Sequence, residues 1–139
     1  MRTFIDSNVF IYSFLNQGVE KRQIAARLLA QAIRDGNGYI SLQVVKEFCN
    51  VLTKKSNKSA AEIFGALDIF NRFNFVTGSL ALVRRALEIK GQYEIQFYDA
   101  LMLAAAEAGA CDEILTEDLN NGQVYCGIKA VNPFLSSPV

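Results

Sequence analysis

The chain has 139 residues, 51% of them apolar and 20% charged, with no histidine and a formal net charge of zero. So apolar a composition excludes a disordered chain, and the missing histidine excludes Ser-His and Cys-His nucleophiles, a histidine base and an ordinary zinc site. The longest unbroken apolar run, residues 100–106, falls far short of the ~20 residues that a membrane-spanning helix needs.

The predicted elements alternate. Residues 3–6 read as a short buried strand, followed by an apolar stretch over 9–15 that Asn16-Gln17-Gly18 breaks. The acid before that stretch and the lack of a small-residue cleavage site argue against a signal peptide. Residues 20–35 have helical periodicity, and Gly36-Asn37-Gly38 closes that helix with turn chemistry. A second strand at 39–41 leads into a helix over 42–53. Ser59-Ala60-Ala61-Glu62 is a capping-box pattern opening a helix that runs to about residue 72. A third strand covers 73–76, a helix 79–90, and a helix apolar on nearly all sides 97–108. Strands at 112–116 and 129–131 complete the series.

Alternation of this kind predicts an α/β domain spanning 1–139, with a mostly parallel sheet between helix layers. Ligands of such sheets gather at the carboxyl ends of the strands. Cys49, Cys111 and Cys126 form neither a C-x-x-C pair nor a disulfide framework, so a reduced, cytoplasmic protein is expected.

Charge is unevenly distributed. Residues 1–90 carry 13 basic and 7 acidic side chains, a balance of +6, and residues 91–139 carry 1 and 7, a balance of −6. Either helix faces simply differ in solvation, or one region tracks a polyanion while carboxylates elsewhere hold cations.

Four acids stand where packing alone favours other residues. Asp6 ends the first strand, Glu47 lies among the apolar positions of its helix, Asp99 opens the most apolar helix, and Asp118 follows the fourth strand. Taken singly, Asp6 reads as a helix cap, Glu47 as a boundary residue and Asp118 as a turn residue. Asp99 needs a partner or a wet cleft, because desolvating a lone carboxylate costs several times what a helix dipole returns. Together they converge where strand ends meet. Two carboxylates ~5 Å apart repel by about 1 kcal/mol in water-like surroundings and roughly 3 at an effective dielectric near 20. A cluster of four therefore calls for cations, and all-oxygen ligands select Mg²⁺ or Mn²⁺, as at a phosphoryl-hydrolase site.

Phe4-Ile5-Asp6-Ser7-Asn8-Val9, Val45-Lys46-Glu47-Phe48, Phe97-Tyr98-Asp99-Ala100-Leu101 and the run from Leu115 through Thr116-Glu117-Asp118 to Gly122 look like the four acidic motifs of PIN-domain ribonucleases. Val131-Asn132-Pro133-Phe134 resembles the end of the VapC-type toxins of bacterial toxin–antitoxin modules. The resemblance spans the chain, in order and at fitting spacing. It implies a three-layer α/β/α Rossmann-like sandwich, Mg²⁺- or Mn²⁺-dependent endonucleolytic cleavage of RNA, a homodimer and a cognate antitoxin. It also implies Asp6, Glu47, Asp99 and Asp118 as catalytic metal ligands, supported by the hydroxyls of Ser7 and Thr116. Asn8 fits the usual opening motif, and Glu117 matches an acid outside the metal shell. Many members carry a further acid where this chain has Asn121, which leaves the number of metals open.

Other readings remain at this level. A PIN-like module could bind RNA or protein without cutting it. Asp6-Ser7-Asn8-Val9 also resembles the opening of haloacid-dehalogenase-like phosphatases, although Asn8 replaces their general acid. No G-x-G-x-x-G follows the first strand, which argues against a dinucleotide site. Lys46, Lys54, Lys55, Lys58, Arg84 and Arg85 are candidate phosphate contacts by charge alone. Phe10, Phe14, Leu52 and Phe64 could line an apolar groove for the antitoxin.

Overall fold

β1 (Thr3–Ile5) is buried along its whole length and pairs in parallel on both sides, with β2 (Gly38–Ser41) and β4 (Glu113–Leu115). β3 (Asn74–Val76) lies outside β2, and β6 (Ile128–Val131) lies beyond β4, both parallel. The two-residue β5 (Val124–Tyr125) pairs antiparallel at the edge, giving the order β3-β2-β1-β4-β6-β5. These relations come from a computed structural model that describes residues 1–135. The last four residues of the expected 1–139 domain lie outside it.

The helices are α1 (Ser7–Phe14), α2 (Val19–Asp35), α3 (Leu42–Lys55), α4 (Ala60–Ala66), α5 (Leu80–Tyr93) and α6 (Phe97–Ala108). α1 packs on α2 and α3, and α3 on α4, while α5 packs on α6; the sheet lies between the two groups. This is the expected three-layer sandwich. Phe4, Ile5, Ile40 and Ile114 are wholly buried, so the strands lack polar alternation, as strands covered on both faces do. Among the described residues, no helix is long and apolar enough to cross a membrane.

Two local differences from the sequence expectation have physical causes. The helix expected over 59–72 splits at Leu67 into α4 and a 3₁₀ turn, Leu67–Arg72. Gly65 weakens the helix there, and the tighter turn sets Phe70 against Phe10 and Phe48, with ring centroids 4.8 and 5.2 Å apart. The capping box at its start does form, with Ser59 and Glu62 bonded reciprocally. β5 is the other difference, too short to leave a periodic pattern.

The chain crosses from one half of the sheet to the other between β1 and β4. In an open parallel sheet this reversal opens a crevice at the strand carboxyl ends. Asp6 and Thr116 are the residues immediately after those two strands, and Ile5 and Leu115 are in register.

Candidate functional site

Asp6 lies at the floor of this crevice, 4% exposed. Its backbone N–H donates to the carbonyl of Leu115 at 3.0 Å, tying the end of β1 to β4. One carboxylate oxygen accepts from the Ser7 backbone N–H at 2.6 Å and from the Ser7 hydroxyl at 3.3 Å. The other accepts from the Thr116 hydroxyl at 2.6 Å. That hydroxyl in turn accepts from the Asp118 backbone N–H at 3.1 Å. Ser7 and Thr116 thus both hydrogen-bond to the Asp6 carboxylate, one on each oxygen.

Glu47, Asp99 and Asp118 line one cleft of about 570 Å³, and the charges of Asp118 and Glu47 act on the buried Asp6. Glu47 projects from the second turn of α3, Asp99 from the first turn of α6, and Asp118 from the loop after β4. Burial pushes the Asp6 carboxyl up to about 7, against the Thr116 hydrogen bond and with help from the charge of Asp118 and then Glu47. Desolvation also raises Glu47, and the charges of Asp118 and Asp99 add to it. Asp99 is raised by desolvation and then by Asp118. Asp118 is raised by partial desolvation and then by its neighbour Glu117. The charge of Asp118 thus raises each of the other three.

Among the described residues none of the four has a cation within ion-pair distance; the pairs formed are Lys21–Glu117 and Arg85–Glu107. Among the described residues no three acids are drawn together into a formed metal cage. The donor set nevertheless fits a hard cation: carboxylates only, uncompensated, around one cleft. Two further oxygens agree with this, since Asn8 Oδ1 and Gln43 Oε1 are buried without a protein partner. Both residues also touch the acids. Asn8 Nδ2 donates to Asp118 at 3.5 Å, and Gln43 Nε2 donates to Glu47 at 3.4 Å and to the Tyr98 carbonyl at 3.1 Å. Gln43 is absent from the sequence reading, although its place one turn before Glu47 was a usable signal.

The remaining candidates divide. Asn121 Oδ1 accepts from the backbone N–H of Asn132 at 2.8 Å, a structural tie between the loop and the end of β6. Arg85 is taken up in a two-bond pair with Glu107 and is not a free phosphate contact. Lys58 lies over the Phe14 ring, 4.7 Å from its centroid. Lys46 remains beside the site, on the wall of a groove of about 800 Å³ that also includes Glu47 and Tyr98. Phe10 and Leu52 are buried in the core, whereas Phe64 is 78% exposed.

Three comparisons agree with this architecture. The chain superposes on a toxin–antitoxin complex from Klebsiella pneumoniae with a TM-score of 0.69 at 22% identity, covering 95% of this chain and 98% of that one. VapBC2 from Rickettsia felis, bound to a DNA fragment from its promoter, gives 0.69 at 17% identity and coverage of 94% and 97%. The sarcin-ricin-loop-cleaving toxin VapC20 from Mycobacterium tuberculosis gives 0.66 at 17% identity and coverage of 81% and 86%. No curated protein matches the sequence closely enough to count as a relative. The PIN-domain family model matches residues 3–124, which decides against the haloacid-dehalogenase-like alternative. With its strand order, its acidic crevice and that match, the chain belongs to the PIN-domain family.

Proposed function

We propose that this protein is a divalent-metal-dependent endoribonuclease and the toxin of a type II toxin–antitoxin module. The observation that carries the reading is the set of four uncompensated carboxylates at the sheet's crossover, one buried and three around a cleft. Mg²⁺ or Mn²⁺ held by Asp6, Glu47, Asp99 and Asp118 would supply Lewis acidity, lowering the pKa of an attacking water and neutralising the scissile phosphate.

The chain's own residues do the positioning. Ser7 and Thr116 hold the two Asp6 oxygens by hydrogen bonds, so its orientation is set before any ligand arrives. Asp99 and Asp118, on opposite elements, face the cleft where a water can be oriented. Attack by water oxygen on phosphorus, with rupture of the bond to the 3′ oxygen, leaves a 3′-hydroxyl and a 5′-phosphate. RNA as the substrate agrees with the sarcin-ricin-loop cleavage named for the Mycobacterium tuberculosis neighbour. An antitoxin partner agrees with the complexes from Klebsiella pneumoniae and Rickettsia felis. A homodimer belongs to the same reading, and Leu42, Leu80 and Tyr98 are exposed apolar residues available to an interface.

The test is cleavage of a folded RNA by purified protein with Mn²⁺, with excess EDTA, and with Asp99→Asn. Cleavage should require the metal and fall more than about 100-fold in the variant, since even outer partners of metal ligands contribute 10–100-fold. Cutting that persists in EDTA or in Asp99→Asn would overturn the proposal. Metal-independent RNA binding without cutting would favour the non-catalytic module.

A further inference from the structure

The loop that carries Asp118 is anchored through the residues on either side of it. Glu117 does not line the acidic cleft; it reaches to α1 and α2. The Tyr12 hydroxyl donates to Glu117 Oε1 at 2.5 Å, and Lys21 Nζ lies 3.7 Å from Glu117 Oε2. Lys21 also donates to the Tyr12 hydroxyl oxygen at 3.3 Å and sits over the Tyr12 ring, 4.5 Å from its centroid. Phe134 closes the group, its ring 4.9 Å from that of Tyr12 and nearly perpendicular, at 74°. Further along the loop, the Asn120 N–H donates to the Tyr125 hydroxyl at 3.1 Å, and Asn121 holds Asn132.

Asp118 sits between these anchors, its backbone N–H on the Thr116 hydroxyl. A lone loop carboxylate loses conformational freedom when it binds an ion, and a loop already fixed loses less. We infer that Tyr12 and Glu117 are positioning residues for Asp118: the Tyr12–Glu117–Lys21 chain keeps the Glu117 carboxylate out of the cleft and fixes the loop that presents Asp118 to the metal. The inference rests on the metal-dependent reading above. It assigns Glu117 a role through its neighbour rather than as a further ligand.

Binding of Mn²⁺ alone, measured by calorimetry on the full chain, separates the possibilities. Tyr12→Phe keeps the ring against Phe134 and removes only the hydroxyl. It should weaken Mn²⁺ binding by roughly tenfold, the low end for outer partners of metal ligands. RNA cleavage by this variant should fall at limiting Mn²⁺ and recover at saturating Mn²⁺, with KM for RNA unchanged. Glu117→Gln still offers an oxygen to the Tyr12 hydroxyl and should lose less than Asp118→Asn, whose defect saturating Mn²⁺ should not repair. If Tyr12→Phe melts below the assay temperature, Lys21→Met at a partly exposed position replaces it, with weakened binding again expected.

Wild-type affinity in Tyr12→Phe, or in Lys21→Met where that variant stands in, would overturn the positioning role and leave the nuclease reading intact. A loss in Glu117→Gln as large as in Asp118→Asn would also overturn it, by making Glu117 a ligand. Failure of the wild type to bind Mn²⁺ would overturn both.

Discussion

Asp6 concentrates the electrostatic cost of the site, because its folded-state pKa is raised to about 7 by burial and by two nearby carboxylates. A raised folded-state value means that the folded chain binds the proton more tightly than the unfolded one. The stabilisation is therefore fully present below the unfolded value near 4 and is lost as pH rises through about 7. Metal-free protein should gain stability between pH 7.5 and about 5.5, and Asp6→Asn should flatten that dependence. Urea denaturation across this range checks it, and an identical slope in both proteins would assign the pH response to other groups. Thr116→Val removes a hydroxyl that donates to Asp6 and accepts from Asp118 while keeping the side chain's shape. Hydrogen bonds to charged groups contribute about 1.5–3 kcal/mol, so a stability loss of that order is expected above about pH 8, where the Asp6 carboxyl is ionised, together with weaker Mn²⁺ binding. Unchanged urea midpoints would mean that water replaces the hydroxyl without cost.

At the scale of elements, the close approach of β2 to its neighbours depends on one residue. A Cβ on Gly38 would meet the Phe73 ring at 2.6 and 2.8 Å and Ala32 Cβ at 3.2 Å. Phe73 cannot easily yield, since it is buried and packs edge-on against Phe10 at 5.1 Å. Gly38→Ala should therefore cost about 1–3 kcal/mol by overpacking, seen as a lower melting temperature. A melting temperature within a degree of the wild type would show that the ring has room to move. α6 contributes differently. Its run Met102–Ala106 is buried between sheet and α5, so the helix that presents Asp99 is held by the core rather than by its caps. Leu103→Ala should cost about 2–5 kcal/mol, and a chemical-denaturation series checks it.

For the whole molecule, the proposed metal site would couple folding to metal binding through the same four acids. Mn²⁺ at 100 times its dissociation constant should add about 2.7 kcal/mol of stability, if the unfolded chain does not bind it. Thermal melts with and without Mn²⁺ should show that shift in the wild type and lose it in Asp6→Asn. Equal melting temperatures for the wild type in both conditions would remove the four-acid metal site. The surplus of +6 in residues 1–90 opposite −6 in the remainder is partly neutralised inside the fold. Arg85 from the basic stretch pairs with Glu107, and Lys21 with Glu117.

Much was legible before folding because it is local. Strand and helix periods, the Ser59 capping box and the acids at strand ends and helix starts are encoded within a few residues of one another. So are the motif neighbourhoods of Asp6, Glu47, Asp99 and Asp118. Short or irregular pieces left less trace, as the two-residue β5 and the 3₁₀ turn after α4 show. What only the tertiary structure decided are relations between distant residues. Thr116 bonds to Asp6 across 110 positions, Tyr12 to Glu117 across 105, and Arg85 to Glu107 across 22. The sequence by itself determined which residues were chemically able to build the site. The order of the strands determined which of them meet, because parallel pairing through crossovers places side chains together by sheet position and not by distance along the chain.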